Sequence, residues 1–146
     1  MISVKQLLDK KGHEVWSISA DATVYECIQM MDEKHVGALT VMTNNKLVGV
    51  ISERDYARKV ILKGLSSKET KVKDIMTKDV YHTIPEQNID ECLVMMNKYR
   101  IRHLPAVDNG KLIGMISIGD VVKEIIEEQQ YTIQQLENCI QWQEAY

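Results

Sequence analysis

Apolar positions along the chain recur with two different periods. Val4, Leu7 and Leu8 are spaced by three and four, with Ser3 as a cap and Gly12 as a stop, which predicts a short leading helix. From Glu14 to Ser19 the period drops to two, with Trp16 and Ile18 alternating against Val15, Ser17 and Ser19, as in a short strand. Asp21 or Thr23 can then cap a helix whose apolar stripe is Val24, Cys27, Ile28 and Met31. A β-rich run from Ala38 to Met42, a turn at Asn44-Asn45 and a second run from Leu47 to Ser52 predict a hairpin. A helix through Ala57, Val60 and Ile61 closes the series.

The same series then returns. Ile89, Cys92, Leu93 and Met96 form the next helix stripe, His103 to Val107 and Leu112 to Ser117 the next strands, and Val121, Val122, Ile125 and Ile126 the next closing helix. Asn109-Gly110 joins the strands, and Asn-Gly between apolar runs is a strong hairpin signal because both central residues must accept positive φ. Residues 15–61 and 80–126 align without a gap at an offset of 65, with 14 identities in 47 positions. The chain is therefore two copies of a strand, helix, strand, strand, helix unit, each too short to be stable alone.

This pattern divides the chain into four parts: 1–64, the leading helix and first copy; 65–79, a Ser- and Lys-rich connection; 80–126, the second copy; and 127–146, a tail. Within the connection, Val72 to Met76 can make one helical turn. In the tail, Ile133, Leu136 and Ile140 predict an amphipathic helix over 131–143, with Trp142 as an aromatic anchor, that must dock on its own domain, on a second subunit or on a regulated partner; reinforced self-association is the expectation.

Composition adds limits. No apolar run reaches the roughly 20 residues a membrane helix needs, and Lys5, Asp9 and Lys10 interrupt the N-terminus where a signal peptide would be apolar, so a cytoplasmic protein is expected. The net charge of −3 offers nucleic acid no basic face. Glu127, Glu128, Glu137 and Glu144 give the tail −4 and leave +1 on the repeated body. Cys27, Cys92 and Cys139 are odd in number and lack C-x-x-C spacing, and the first two sit on apolar helix faces as buried thiols. The four histidines lack the spacing of a metal site.

Chemistry concentrates where each hairpin ends. Gly49-Val50-Ile51-Ser52-Glu53-Arg54-Asp55 and Gly114-Met115-Ile116-Ser117-Ile118-Gly119-Asp120 both run from an apolar strand to a hydroxyl, then reach a carboxylate three residues later at a helix start. First-turn amides and a serine can hold phosphate, and the two oxygens of an aspartate suit vicinal ribose hydroxyls. Ser-x-x-acid is also a plain capping box. Retention of Gly, Ser and Asp in both copies, while Glu53 and Arg54 become Ile118 and Gly119, favours the ligand reading.

Two such units, with Arg100 to Asp108 reading R-I-R-H-L-P-A-V-D, resemble a pair of cystathionine beta-synthase (CBS) domains over residues 3–126. The resemblance implies a mixed α/β fold, two β-α-β-β-α repeats around a pseudo-two-fold axis, with clefts for adenosine-containing ligands. It assigns Asp55 and Asp120 to ribose, Ser52 and Ser117 to phosphate, Ser17, Ile18, His82 and Thr83 to the adenine cradle, and Arg102 with His103 to phosphates. Arg102-His103 stands opposite Gly37-Ala38, Arg54 opposite Gly119 and Pro105 opposite Thr40, so the two clefts should differ in positive charge.

The resulting expectation is a regulatory, non-enzymatic module that senses an adenine nucleotide, AMP first, with ADP, ATP or a dinucleotide such as NADH as further candidates, and no catalytic cofactor. A homodimer, acting on a separate regulated protein, is expected, its contacts made by the helices carrying Met30-Met31 and Met95-Met96. The alternative is a structural or oligomerisation protein with vestigial clefts.

Overall fold

The computed structural model describes residues 1–144. Its elements are α1 (Val4–Lys11), β1 (Ser17–Ser19), α2 (Val24–Lys34), β2 (Ala38–Thr43), β3 (Lys46–Ser52), α3 (Glu53–Tyr56), α4 (Val72–Ile75), α5 (Ile89–Tyr99), β4 (His103–Asp108), β5 (Lys111–Ser117) and α6 (Ile118–Glu144). The mixed α/β repeat is thus present in both copies.

Local chemistry explains most boundaries. Ser3 and Gln6 form a reciprocal capping box at α1, and Gly12 ends it at φ 107°, a left-handed conformation that costs glycine little. Of the two candidate caps for α2, Thr23 is the one used: its Oγ1 accepts from the Glu26 N–H at 3.1 Å. The hairpin turns take φ 50° and 62° at Asn44-Asn45, and 50° and 80° at Asn109-Gly110.

The chain forms two compact units. The first holds Glu14–His82 with Lys111–Ile113 and carries the three-stranded sheet β1-β2-β3, in which β1 runs parallel to β2 and β2 antiparallel to β3. Ile18, Val24, Cys27, Met31, Leu39, Val41, Ile51 and Val60 make its core, joined by Val72 and Ile75 of α4. The second holds Met1–His13, Thr83–Gly110 and the chain from Gly114 onward. Here β4 and β5 pair, and the counterpart of β1 shrinks to one parallel bridge, Thr83 to Ala106, equivalent to Ile18 beside Val41.

The leading helix joins the unit of the second copy, although it precedes the first copy in sequence. The Val4 and Lys5 N–H groups donate to Gln87 and Pro85 carbonyls at 2.8 and 3.0 Å. In the first unit, the Val72 and Lys73 N–H groups donate to Ala22 and Ala20 carbonyls at 2.9 and 3.0 Å. These acceptors are equivalent under the 65-residue offset, so α4 does for the first copy what α1 does for the second.

The end of the chain departs from expectation. The closing helix of the second copy and the tail helix are one element, the 27-residue α6. The first copy turns off after a π-helical segment, Ala57–Ile61, and passes through Gly64 at φ 68°. No glycine or proline follows Gly119 in the second copy, so nothing stops propagation.

Candidate functional site

Each strand-to-helix junction closes on itself. The Ser52 N–H donates to Asp55 Oδ2 at 3.0 Å, and the Asp55 N–H donates to Ser52 Oγ at 3.2 Å. The second copy repeats this: the Ser117 N–H donates to Asp120 Oδ2 at 2.9 Å, and the Asp120 N–H donates to Ser117 Oγ at 3.1 Å. The capping box and the proposed ligand motif are therefore the same four residues, with one oxygen of each aspartate committed to the cap.

The aspartates differ in their cations. Asp55 Oδ1 lies 3.2 Å from Lys59 Nζ, four residues on in the π-helical segment that continues α3, and that ammonium also donates to the Ile75 carbonyl at 2.9 Å. Asp120 instead receives Lys11, from the end of α1, whose Nζ lies 2.7 Å from Oδ2 and also 2.7 Å from the Met115 carbonyl. The position matching Lys59 is Glu124, a buried residue whose carboxylate is held by Lys10 of α1 at 2.8 Å. Burial pushes the Asp120 carboxyl up, but the Lys11 ammonium and the Ser117 donors outweigh it and hold the group below its ordinary value.

His103 and Arg102 belong to this same unit, and the Ile118 N–H donates to the Arg102 carbonyl at 2.9 Å. The equivalent bond in the first unit runs from the Glu53 N–H to the Gly37 carbonyl at 3.0 Å, where no side chain is available. Burial lowers the His103 imidazole, Asp120 opposes this, and Lys11 and Arg102 add to the lowering. The ring is thus held toward its neutral form, and the cation paired with Asp120 is Lys11.

The adenine-cradle residues are distributed unevenly. Ser17 is half-buried and shares a hydrogen bond with Thr40, while Ile18 is part of the core. His82 is exposed in the first unit; Thr83 is buried in the second, its hydroxyl bonded to Gln87 Oε1 and its N–H to the Pro105 carbonyl. Pro105 is buried and Arg54 exposed.

Sequence reading missed Lys11 and Lys59. The signal for Lys11 was a weak second repeat: Val4, Leu7 and Leu8 match Val72, Ile75 and Met76 at an offset of 68, which puts Asp79 opposite Lys11. The glycine of the motif also has a structural cause. A Cβ on Gly114 would lie 2.6 Å from Leu8 Cδ2, and one on Gly49 would lie 2.6 Å from Met76 Sδ and 2.9 Å from the Thr77 carbonyl oxygen. In both copies the leading helix or its exit presses on that strand.

The CBS-domain family matches residues 4–62 and 72–127. The chain belongs to the CBS-domain family. Both segments begin at a leading helix, in agreement with the paired docking of α1 and α4. A mitochondrial CBS domain-containing protein of Arabidopsis thaliana, CBSX3, is 41% identical over 135 residues; the match covers 89% of this chain and 65% of that protein, so the chain spans less than two thirds of its length. A solved CBS-domain protein of Burkholderia ambifaria MC40-6, described as acting in signal transduction, is 46% identical with a TM-score of 0.85, covering 88% of this chain and 96% of that one. The CBS domain pair of protein MJ0100, solved with 5′-methylthioadenosine and S-adenosyl-L-methionine, shares the fold at 21% identity and a TM-score of 0.78, covering 88% of this chain and 98% of that one. Among the described residues no helix is long and apolar enough to cross a membrane.

Proposed function

We propose that this chain is a regulatory binding module that takes up an adenine nucleotide, AMP in preference to ADP, ATP or NADH, and passes the bound state to a separate protein. The observation that carries the reading is the duplicated Ser-x-x-Asp junction, in a CBS chain, with a displaceable lysine on each carboxylate. Ribose hydroxyls would compete for the aspartates, and a released Lys11, with Arg102, would meet phosphate. Exposed or half-exposed ion pairs contribute about 0–1 kcal/mol, so opening them is cheap. A charge-assisted hydrogen bond contributes roughly 1.5–3 kcal/mol, whereas micromolar affinity needs about 8. Adenine burial and phosphate contacts must supply the rest, through Ser17, Ile18, His82 and Thr83 and through Ser52, Ser117, Arg54 and His103. Pro105 shapes the strand beside them.

The module is proposed to act as a homodimer without a catalytic step of its own. The second reading, a structural protein with vestigial clefts, draws on the closed capping boxes, which leave both motifs satisfied without ligand. Titration calorimetry decides between them. AMP should bind with at least one phase lost in Asp120→Asn, a change that keeps an acceptor for the cap and removes the charge. Heat-silent titration with adenine nucleotides at millimolar concentration would favour the structural reading.

A further inference from the structure

The helix α6 carries two apolar stripes, and only one of them is used by its own chain. Val121 and Glu124 are buried and Ile125 is half-buried on the body-facing side. A quarter-turn away run Val122, Ile126, Ile133, Leu136 and Ile140, each 41–60% exposed. With Gln129 and Gln143 they fill every position of an alternating four-three spacing from 122 to 143, about three heptads. Residues 129–143 are exposed throughout, and the helix is about 40 Å long at 1.5 Å per residue.

That spacing selects the partner. A two-in-seven stripe with a mean period of 3.5 fits one helix lying alongside, not a broad globular surface. Ile126, Ile133 and Ile140 fall at one seam position and Leu136 at the other, the combination that favours two strands. The glutamines set orientation and identity. In a parallel pair of two copies, Gln129 meets Gln129 and Gln143 meets Gln143, so their amides satisfy each other. An antiparallel pair centred on Ile133 and Leu136 sets Gln129 against Ile140 and Gln143 against Ile126, leaving amides buried in an apolar layer. Charge permits the parallel arrangement too, since the flanking Thr132 of one helix lies opposite Glu137 of the other, and no like charges face across the seam. The outer face is polar and internally bonded, Gln134 Nε2 donating to Asn138 Oδ1 at 3.0 Å.

We propose that two copies of this chain pair through α6 as a parallel two-stranded coiled coil with Val122, Ile126, Gln129, Ile133, Leu136 and Ile140 in its seam. Nucleotide binding is independent of this pairing. The test uses the full chain with Cys139→Ser, which leaves only the buried Cys27 and Cys92 thiols. Single cysteines are placed in the seam by Gln129→Cys, Leu136→Cys or Ile140→Cys, and on the outer face by Asn138→Cys. Under glutathione oxidation all three seam variants should form disulfide-linked dimers at least 10-fold faster than the outer one. Crosslinking at no seam position, at one only, or equally at Asn138→Cys overturns the proposal. In the same background, Ile133→Glu with Ile140→Glu should weaken self-association at least 10-fold by sedimentation and lower helical ellipticity; unchanged values of both also overturn it. AMP titration of each variant stays at the parent affinity, so failure of the coil leaves the binding reading standing.

Discussion

Lys11 and Gly114 show how single residues of the second unit carry more than one demand. Lys11 holds the Asp120 carboxylate while its neighbour Lys10 holds Glu124 and lies near Glu127, so the C-terminal turn of α1 is pinned to α6 by three ion pairs. Lys11→Met should raise the Asp120 carboxyl, because burial is then opposed by Ser117 alone; an NMR titration of that carboxyl checks it. The pH dependence of stability follows from two downward shifts. Below the ordinary imidazole value of 6.5 the unfolded chain protonates His103 before the folded one does, and below 3.8 the same holds for Asp120. Folded stability should therefore fall on acidification in both windows, and His103→Gln should flatten the first in urea titrations run across pH. Cys27, its thiol pushed up to about 12 by burial and by Asp55, should stay inert to alkylation in the folded state. Gly114→Ala drives a methyl group against Leu8 and should cost about 1–3 kcal/mol. Gly49→Ala meets a backbone oxygen as well as Met76, so its cost should be the larger. Chemical denaturation measures both, and combining Gly114→Ala with Leu8→Ala should cost less than the two changes summed. The motif glycines were visible in the sequence as repeats. The atoms that require them come from segments distant in sequence, so their reason was not visible.

At the scale of elements, the repeat was readable because periodicity, caps and turns are local. The hairpin strands β2, β3, β4 and β5 formed within a residue of their predicted spans, whereas β1 starts at Ser17 rather than Glu14 and its counterpart in the second copy is shorter still. That counterpart reduced to a single bridge at Thr83, where a hydroxyl bonded to Gln87 replaces the apolar Ile18. Caps separate the two long helices of the repeats. Thr23 caps α2, its hydroxyl oxygen accepting from the Glu26 N–H, whereas Asn88 at the start of α5 makes no side-chain cap bond. Thr23→Ala should thus lower stability by about 0.5–2 kcal/mol, and Asn88→Ala by clearly less, both read from urea midpoints. Equal losses would mean that packing, not capping, sets these helix starts. The joining of the predicted closing and tail helices into α6 also has a local cause, the lack of any breaker after Gly119.

For the whole molecule, the decisive feature is which segment packs with which copy. Deleting residues 1–12 removes Val4, Leu7 and Leu8 from the second unit, although the cut adjoins the first copy. Hydrogen exchange should accelerate over α5, β4 and β5 while α2, β2 and β3 stay protected; the reverse pattern would refute the assignment of α1. Binding should add stability by mass action, about 2.7 kcal/mol at a nucleotide concentration 100 times Kd, and thermal melts with AMP measure it. The amino-acid sequence by itself determined the duplication, the α/β class, the turns, most helix ends and the Ser-x-x-Asp junctions, because each depends on residues within a few positions of one another. Tertiary structure alone decided that α1 serves the second copy and α4 the first, that Lys11 rather than a residue of the repeat meets Asp120, and that His103 is held toward neutrality. These depend on contacts between segments about 50 to 110 residues apart in the chain, or on burial, and neither the period of apolar positions nor the identity of a single side chain encodes such distances.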